Sequence, residues 1–182
     1  MPRVLVPLAQ GCEEIEAVTI INVLRRAGLE VLSASLDGRP VKGARGITLV
    51  ADAPLDEVKG QDFAAIVLPG GQPGADTLKK DPRVIDLLER HAMRGALTAA
   101  VCAAPAVLAE AGLLRGKKAT SYPGALDQSA HGASLVDAPV VLDGKVLTGR
   151  SAGMAMDFAL AVVAQLLGKE KRNEVEAKLL RR

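Results

Sequence analysis

Apolar residues along this chain follow two rhythms that alternate from one end to the other. "RVLVPL" (3–8) is a short, almost unbroken apolar run, the pattern of a strand buried on both faces. From about Glu13 to Arg26 the apolar positions recur every three or four residues until Gly28 ends them, which predicts a helix. "EVLSASL" (30–36) predicts a second strand, "DGRP" a turn, and "GITLVAD" (46–52) a short strand pair at a sheet edge. "FAAIVLPGG" (63–71) is a further buried strand with a glycine-rich exit, and "DPRVIDLLERHAMR" (81–94) is a helix opened by Asp and Pro. Leu97 to Val101 predict a strand that leads directly into helical sequence, Ala106 to Leu114. Beyond it come "KATSYP" (118–123), a hairpin around "DAPVVLDGKVLTG" (137–149), a helix from Ser151 to Leu167 and a last charged helix, "KEKRNEVEAKLL". No repeat, low-complexity tract or linker interrupts this order, so residues 1–182 are expected to form one domain. Strands alternating with helices predict an α/β three-layer sandwich around a mainly parallel sheet.

Composition sharpens this picture. Hydrophobic residues make up 49% of the chain but aromatics only 2%. The core must therefore be built from Ala, Val, Leu and Ile, which suits helices packed closely on a parallel sheet. The 23 basic and 21 acidic residues are intermixed, with no basic block or aromatic stripe, so a nucleic-acid partner is not expected. The longest uncharged run around Cys102, residues 95–109, is too short to span a bilayer. The opening "MPRVLVPLAQGCEEIE" turns acidic before a signal-peptide pattern develops. Cys12 and Cys102 form neither a disulfide framework nor a zinc-site spacing, and His91 and His131 are too few for a multi-histidine metal site. A cytoplasmic protein with no metal and no membrane partner is expected.

In such a sandwich, sites form beyond the carboxyl ends of the strands, near a switch in strand order. Three unusual loops leave strands at that edge. Cys102 stands where strand 97–101 turns sharply into a helix whose first turn accommodates Pro105; a lone cysteine in an apolar stretch can be an inert packing residue, but this geometry also exposes a nucleophile. Free amides and the positive end of a helix dipole should favour its thiolate. The "PGGQPG" loop is GGxxG rather than GxGxxG; it can be a structural turn, a phosphate loop, or a source of a Gly71 N–H that forms an oxyanion hole with the N–H of Ala103. In "CEEIEA", Glu13 and Glu14 are expected only to complement the helix dipole on a solvated first turn. Glu16 falls on the apolar face, where burial would raise its pKa and make it a proton donor or acceptor. Cys12, one turn earlier, is a possible second thiol.

The segments "EEIEAV", "VLPGG", "AAVCAAPAVLA" and "GMAMDFALAVV" together resemble the ThiJ/PfpI superfamily in its DJ-one branch, in order and spacing over nearly the whole chain. The resemblance implies a flavodoxin-like sandwich, a homodimer, and a nucleophilic, oxidisable cysteine hydrogen-bonded by a glutamate, here Cys102 and Glu16. It places the glycine-loop amide at Gly71 and the elbow amide at Ala103, with Gly70, Arg26 and Arg45 around a dimer-associated pocket. Where the family often has a histidine, this chain reads "TSYPG", which puts Tyr122 in the pocket and argues against a Cys–His protease. The His–x–Glu element of related amidotransferases is absent. Two functions follow from the resemblance. One is a cofactor-independent glyoxalase- or deglycase-type enzyme for reactive α-oxoaldehydes such as methylglyoxal or their glycated adducts. The other is a redox sensor or chaperone-like protein in which Cys102 is oxidised to sulfinate.

Overall fold

The structure, a computed structural model, describes residues 1–38, 40–127 and 131–181. Residue 39 of the expected "DGRP" turn lies outside the described residues. In chain order the elements are β1 (Arg3–Leu8), α1 (Glu14–Arg26), β2 (Glu30–Ser35), β3 (Pro40–Lys42), β4 (Thr48–Val50), β5 (Ala53–Pro54), α2 (Leu55–Val58) and β6 (Ala65–Leu68). There follow α3 (Gly74–Lys80), α4 (Pro82–Met93), β7 (Leu97–Val101), α5 (Pro105–Glu110), β8 (Lys118–Ala119), β9 (Ser134–Leu135), β10 (Val140–Asp143) and β11 (Val146–Gly149). A 3-10 turn (Ala152–Met154) then leads into α6 (Ala155–Leu167) and α7 (Lys169–Lys178).

Seven strands form the central sheet in the order β10-β11-β7-β6-β1-β2-β5. All of its pairs are parallel except the β10–β11 hairpin. The strands are apolar on both faces because both faces are covered. Val4, Val6 and Leu8 of β1 point into one core with α1 and α6, while Leu5 points into the other with α2 to α5. Alternation at period two thus feeds two apolar layers from one strand. The order of β2, β1, β6, β7 and β11 is that of a flavodoxin-like sheet, whose switch point lies between β1 and β6. Beyond the carboxyl ends of β1, β6 and β7 the loops converge.

Three local expectations change. The stretch 46–52 does not pair with itself: β4 pairs antiparallel with β3 in a separate ribbon, and only β5 joins the main sheet. The "QPGAD" stretch after the glycine loop carries a helix, α3, too short and too polar to show a periodic signal. The helix after Cys102 stops at Glu110, because Gly112 takes φ +71 and the Leu113 amide donates back to the Leu108 carbonyl at 2.9 Å, a Schellman-type stop.

Candidate active site

Cys102 has φ +62, a left-handed backbone that costs a non-glycine residue roughly 1–2 kcal/mol. Its surroundings hold it there. Its amide donates to the Gly149 carbonyl at 3.0 Å, and its own carbonyl accepts from the Tyr122 amide at 2.8 Å. Gly70 closes over the turn from β6. A Cβ at Gly70 would lie 2.8 Å from the Val101 carbonyl oxygen and 2.9 Å from the Ala103 nitrogen, so only glycine permits this approach. Gly71 has φ +93, and a Cβ there would meet the Glu13 nitrogen at 2.3 Å. The loop is thereby wedged between the elbow and the start of α1. The amides of Ala103 and Gly71 both act on the Cys102 sulfur and favour its ionised form.

Glu16 is fully buried on α1. Its Oε2 accepts from the Gly70 amide at 2.6 Å, while its Oε1 is buried with no hydrogen-bond partner among the described residues. Burial raises the Glu16 carboxyl to about 7; the Gly70 amide and the Cys102 thiol draw it down, and the charge of Glu13 lifts it. The raised proton affinity expected of Glu16 is present. The lowered one expected of Cys102 is not, and that expectation is corrected. Burial, then the charge and hydrogen bond of Glu16, push Cys102 up to about 12, with the amides of Ala103 and Gly71 opposing. Between these two values the pair carries one proton. While Glu16 is ionised the sulfur keeps the proton; a protonated Glu16 removes the charge that raises the thiol.

A cavity of about 510 Å³ opens over this pair, lined among others by Glu13, Arg45, Gln72, Tyr122 and Ser151. Tyr122 stands at its mouth, 53% exposed. Of the residues the sequence assigns to the site, Cys102, Glu16, Gly71, Ala103, Tyr122 and Arg45 line the cavity, and Gly70 supports it from beneath. Arg26 does not. Its side chain donates to Asn22 and lines a different cavity, between α1 and β4, because its place at the end of α1 is remote from the elbow. Cys12 is fully buried in the core, and burial raises its thiol to about 11. The glycine loop passes between the two cysteines, Gly70 against Cys102 and Gly71 against Cys12, so both thiols are free and Cys12 is a packing residue.

Glu14 departs most from its expected role. It is buried rather than solvated, and its Oε1 accepts from the amides of Arg45 (2.7 Å) and Ile47 (3.2 Å). Desolvation pushes its carboxyl upward, but these amides and its own outweigh that and hold it below the ordinary range. His91 is a core residue: Nδ1 lies 2.7 Å from the Leu87 carbonyl and Nε2 accepts from the Phe63 amide at 3.1 Å. Ser151 to Gly153, expected only to start a helix, form a wall of the cavity. Among the described residues no helix is long and apolar enough to cross a membrane.

A flavodoxin-like sheet with a cysteine on a strained turn, beside a buried carboxyl and two backbone amides, defines a class of α/β proteins with one thiol at the carboxyl edge of the sheet. Within that class, the model of the DJ-1/PfpI family matches residues 2–165, and the chain belongs to this family. Protein DJ-1 homolog B of Arabidopsis thaliana is 43% identical over 99% of this chain. The chain spans less than half of the two Arabidopsis relatives, 42% of homolog B and 46% of homolog A. A Caenorhabditis elegans relative, described as glutathione-independent glyoxalase DJR-1.2, is 36% identical over 91% of this chain and 89% of its own length. The crystal structure of Drosophila melanogaster DJ-1beta superposes with a TM-score of 0.94 at 42% identity, covering 98% of this chain and 97% of that one. Oxidised Toxoplasma gondii DJ-1 superposes at 0.92 with 38% identity, covering 99% and 98%.

Proposed function

We propose that this protein is a cysteine-dependent, stress-protective enzyme that consumes reactive α-oxoaldehydes such as methylglyoxal, or their early adducts with thiols and amines, without a cofactor. The observation that carries this reading is the buried Glu16 carboxyl lining one cavity with the Cys102 thiol and with Gly71 and Ala103. Glu16 takes the thiol proton, and the thiolate adds to the aldehyde carbon. The amides of Gly71 and Ala103 receive the developing oxyanion, which Glu16 then protonates to give a hemithioacetal. The Glu16 carboxylate removes the proton from that carbon to give an enediol and returns it to the neighbouring carbon, while the hemithioacetal hydroxyl proton passes to the neighbouring carbon's oxygen. The first carbon is oxidised, the second reduced, and a thioester of a 2-hydroxy acid results. Water hydrolyses it and restores the thiol. With an adduct, release of the amine or thiol comes first.

No histidine lines the cavity among the described residues; Tyr122 offers it a phenol hydroxyl rather than an imidazole. Aldehydes need no protonated leaving group, whereas peptides do. Aldehyde chemistry is therefore favoured over proteolysis. The relative described as a glyoxalase supports the same direction. Methylglyoxal consumption by the wild type and its loss in Cys102→Ser is the test; consumption that survives Cys102→Ser rules the reading out. The reading further includes a homodimer and a reducing, cytoplasmic setting, which suits a thiol that must stay unoxidised.

A second reading is favoured by the unpartnered Oε1 of Glu16. Peroxide converts the thiolate first to sulfenate and then, with a second equivalent, to sulfinate, releasing water at each step. A protonated Glu16 can donate to a sulfinate oxygen, making Cys102 an oxidation sensor. The relative solved in an oxidised form is consistent with this.

A further inference from the structure

The buried Glu14 carboxylate has no part in the proton chemistry, does not line the cavity, and is more enclosed than any role in a solvated helix turn requires. The chain from Gly43 to Ile47 is wrapped around it. Besides the two amides that Oε1 receives from Arg45 and Ile47, the loop closes on itself through Gly43 N–H to the Ile47 carbonyl (2.9 Å), and the Ala44 amide reaches the Cys12 carbonyl at 2.8 Å. Gly43 is the floor of the wrap: a Cβ there would lie 2.3 Å from Glu14 Cδ and 2.3 Å from Oε1. The same loop supplies Ala44 and Arg45 to the wall of the Cys102 cavity. Among the described residues the Arg45 guanidinium makes one long hydrogen bond, 3.5 Å to the Ala44 carbonyl, and its charge is the last and smallest of the influences on Glu14, behind the Arg45 and Ile47 amides, so the loop is held through its backbone.

We infer that Glu14 is a positioning residue: its buried carboxylate folds residues 43–47 into a wall of the Cys102 cavity and so sets the Arg45 charge at the cavity mouth. The adjacent acids of α1 thereby divide the work. Glu16 faces the sulfur and Glu14 holds the opposite wall. This inference rests on the reading of the Cys102 cavity as the place where small electrophiles meet the thiol, but not on which aldehyde they are.

Alkylation of Cys102 by anionic iodoacetate and neutral iodoacetamide, followed on the full chain by mass spectrometry, tests it without any aldehyde. Releasing the loop moves the positive charge away, so Glu14→Ala should lower the iodoacetate rate relative to iodoacetamide by about threefold or more, as should Arg45→Met. Glu14→Gln keeps an oxygen for the two amides and should preserve the ratio. Gly43→Ala, which pushes a methyl group into the carboxylate, should lower the ratio as Glu14→Ala does, and add nothing in a Glu14→Ala background where the space is vacant. An unchanged ratio in Glu14→Ala, an equal slowing of both reagents, or additive effects of the two substitutions would overturn the inference. If Glu14→Ala does not fold, Gly43→Ala against Glu14→Gln decides: the first must lower the ratio and the second must not. Absence of methylglyoxal turnover would disprove the enzymatic reading and leave this result standing.

Discussion

The buried Glu16 carboxyl keeps its proton to a higher pH than an exposed acid does, and pH decides what that proton does for the fold. Folding raises the Glu16 carboxyl from 4.5 to about 7, so the native state binds this proton more tightly than the unfolded chain does. The resulting stabilisation is complete below the unfolded value and is lost as pH rises through the folded one. Wild type should therefore lose stability relative to Glu16→Gln across that window, by up to about 3 kcal/mol, and the difference should level off above it. Urea unfolding at several pH values measures this; a difference independent of pH would place the Glu16 proton elsewhere. Tyr122 stands at the cavity mouth with its ring largely exposed, so removing its hydroxyl should change aldehyde turnover by about tenfold or less, the scale of one neutral hydrogen bond. Glu16→Gln should be far more damaging, because no other buried acid faces the sulfur. If Tyr122→Phe abolished turnover while Glu16→Gln kept it, the proton shuttle would have to be reassigned. Under limited peroxide, sulfinate should form at Cys102 well before Cys12, which the core seals from solvent; equal oxidation of both would count against an oxidation-sensing elbow.

The elements that build the site differ in how much of them the sequence carries. β1, β6 and β7 are legible because a buried parallel strand needs an unbroken apolar run, and the turn at Cys102 because a strand followed at once by Pro-led helix leaves one place for it. Glu16 is legible from its helical phase, which puts it among Ala17 and Ile20 on the buried side. Glu14 is not, since acids in a first helical turn are ordinarily solvated and its burial depends on a loop some thirty residues away closing over it. The raised Cys102 thiol escapes a local reading for the same reason: the turn and the short α5 are local, but the carboxyl that opposes them comes from α1. Arg26 shares with Arg45 only a charge: it lines a cavity with the far end of α1, Leu49 and Val50, whereas Arg45 lines that of Cys102. The tightness of the elbow gives an element-scale expectation. Gly70→Ala must force the β6 loop away from the Cys102 turn, at a cost on the order of 1–3 kcal/mol, and slow Cys102 alkylation with it. Thermal unfolding and alkylation rates that both matched wild type would show the contact to be looser than its geometry indicates.

At the scale of the whole molecule, one face is left unusually apolar. Ile15 and Val18 on α1, Ile47 beside the Glu14 wrap and Val50 on β4 are 60%, 48%, 58% and 72% exposed, on neighbouring elements. Of the "AVTIINVL" helix, Ala17, Ile20, Val23 and Leu24 are spent on the core, so the outward surface is narrower than that stretch alone suggests. Burying this face against a second copy is the expected outcome, and light scattering should give a dimer mass at micromolar concentration, with Val50→Lys shifting it towards the monomer. A monomer mass for the wild type would reject the assembly. The placement of Tyr122 has an optical consequence as well. The chain contains one tyrosine and no tryptophan. Nearly all of the protein's near-ultraviolet emission therefore originates from a single ring at the mouth of the Cys102 cavity, and occupancy of that cavity can be followed by intrinsic fluorescence with no engineered label and no background from the core.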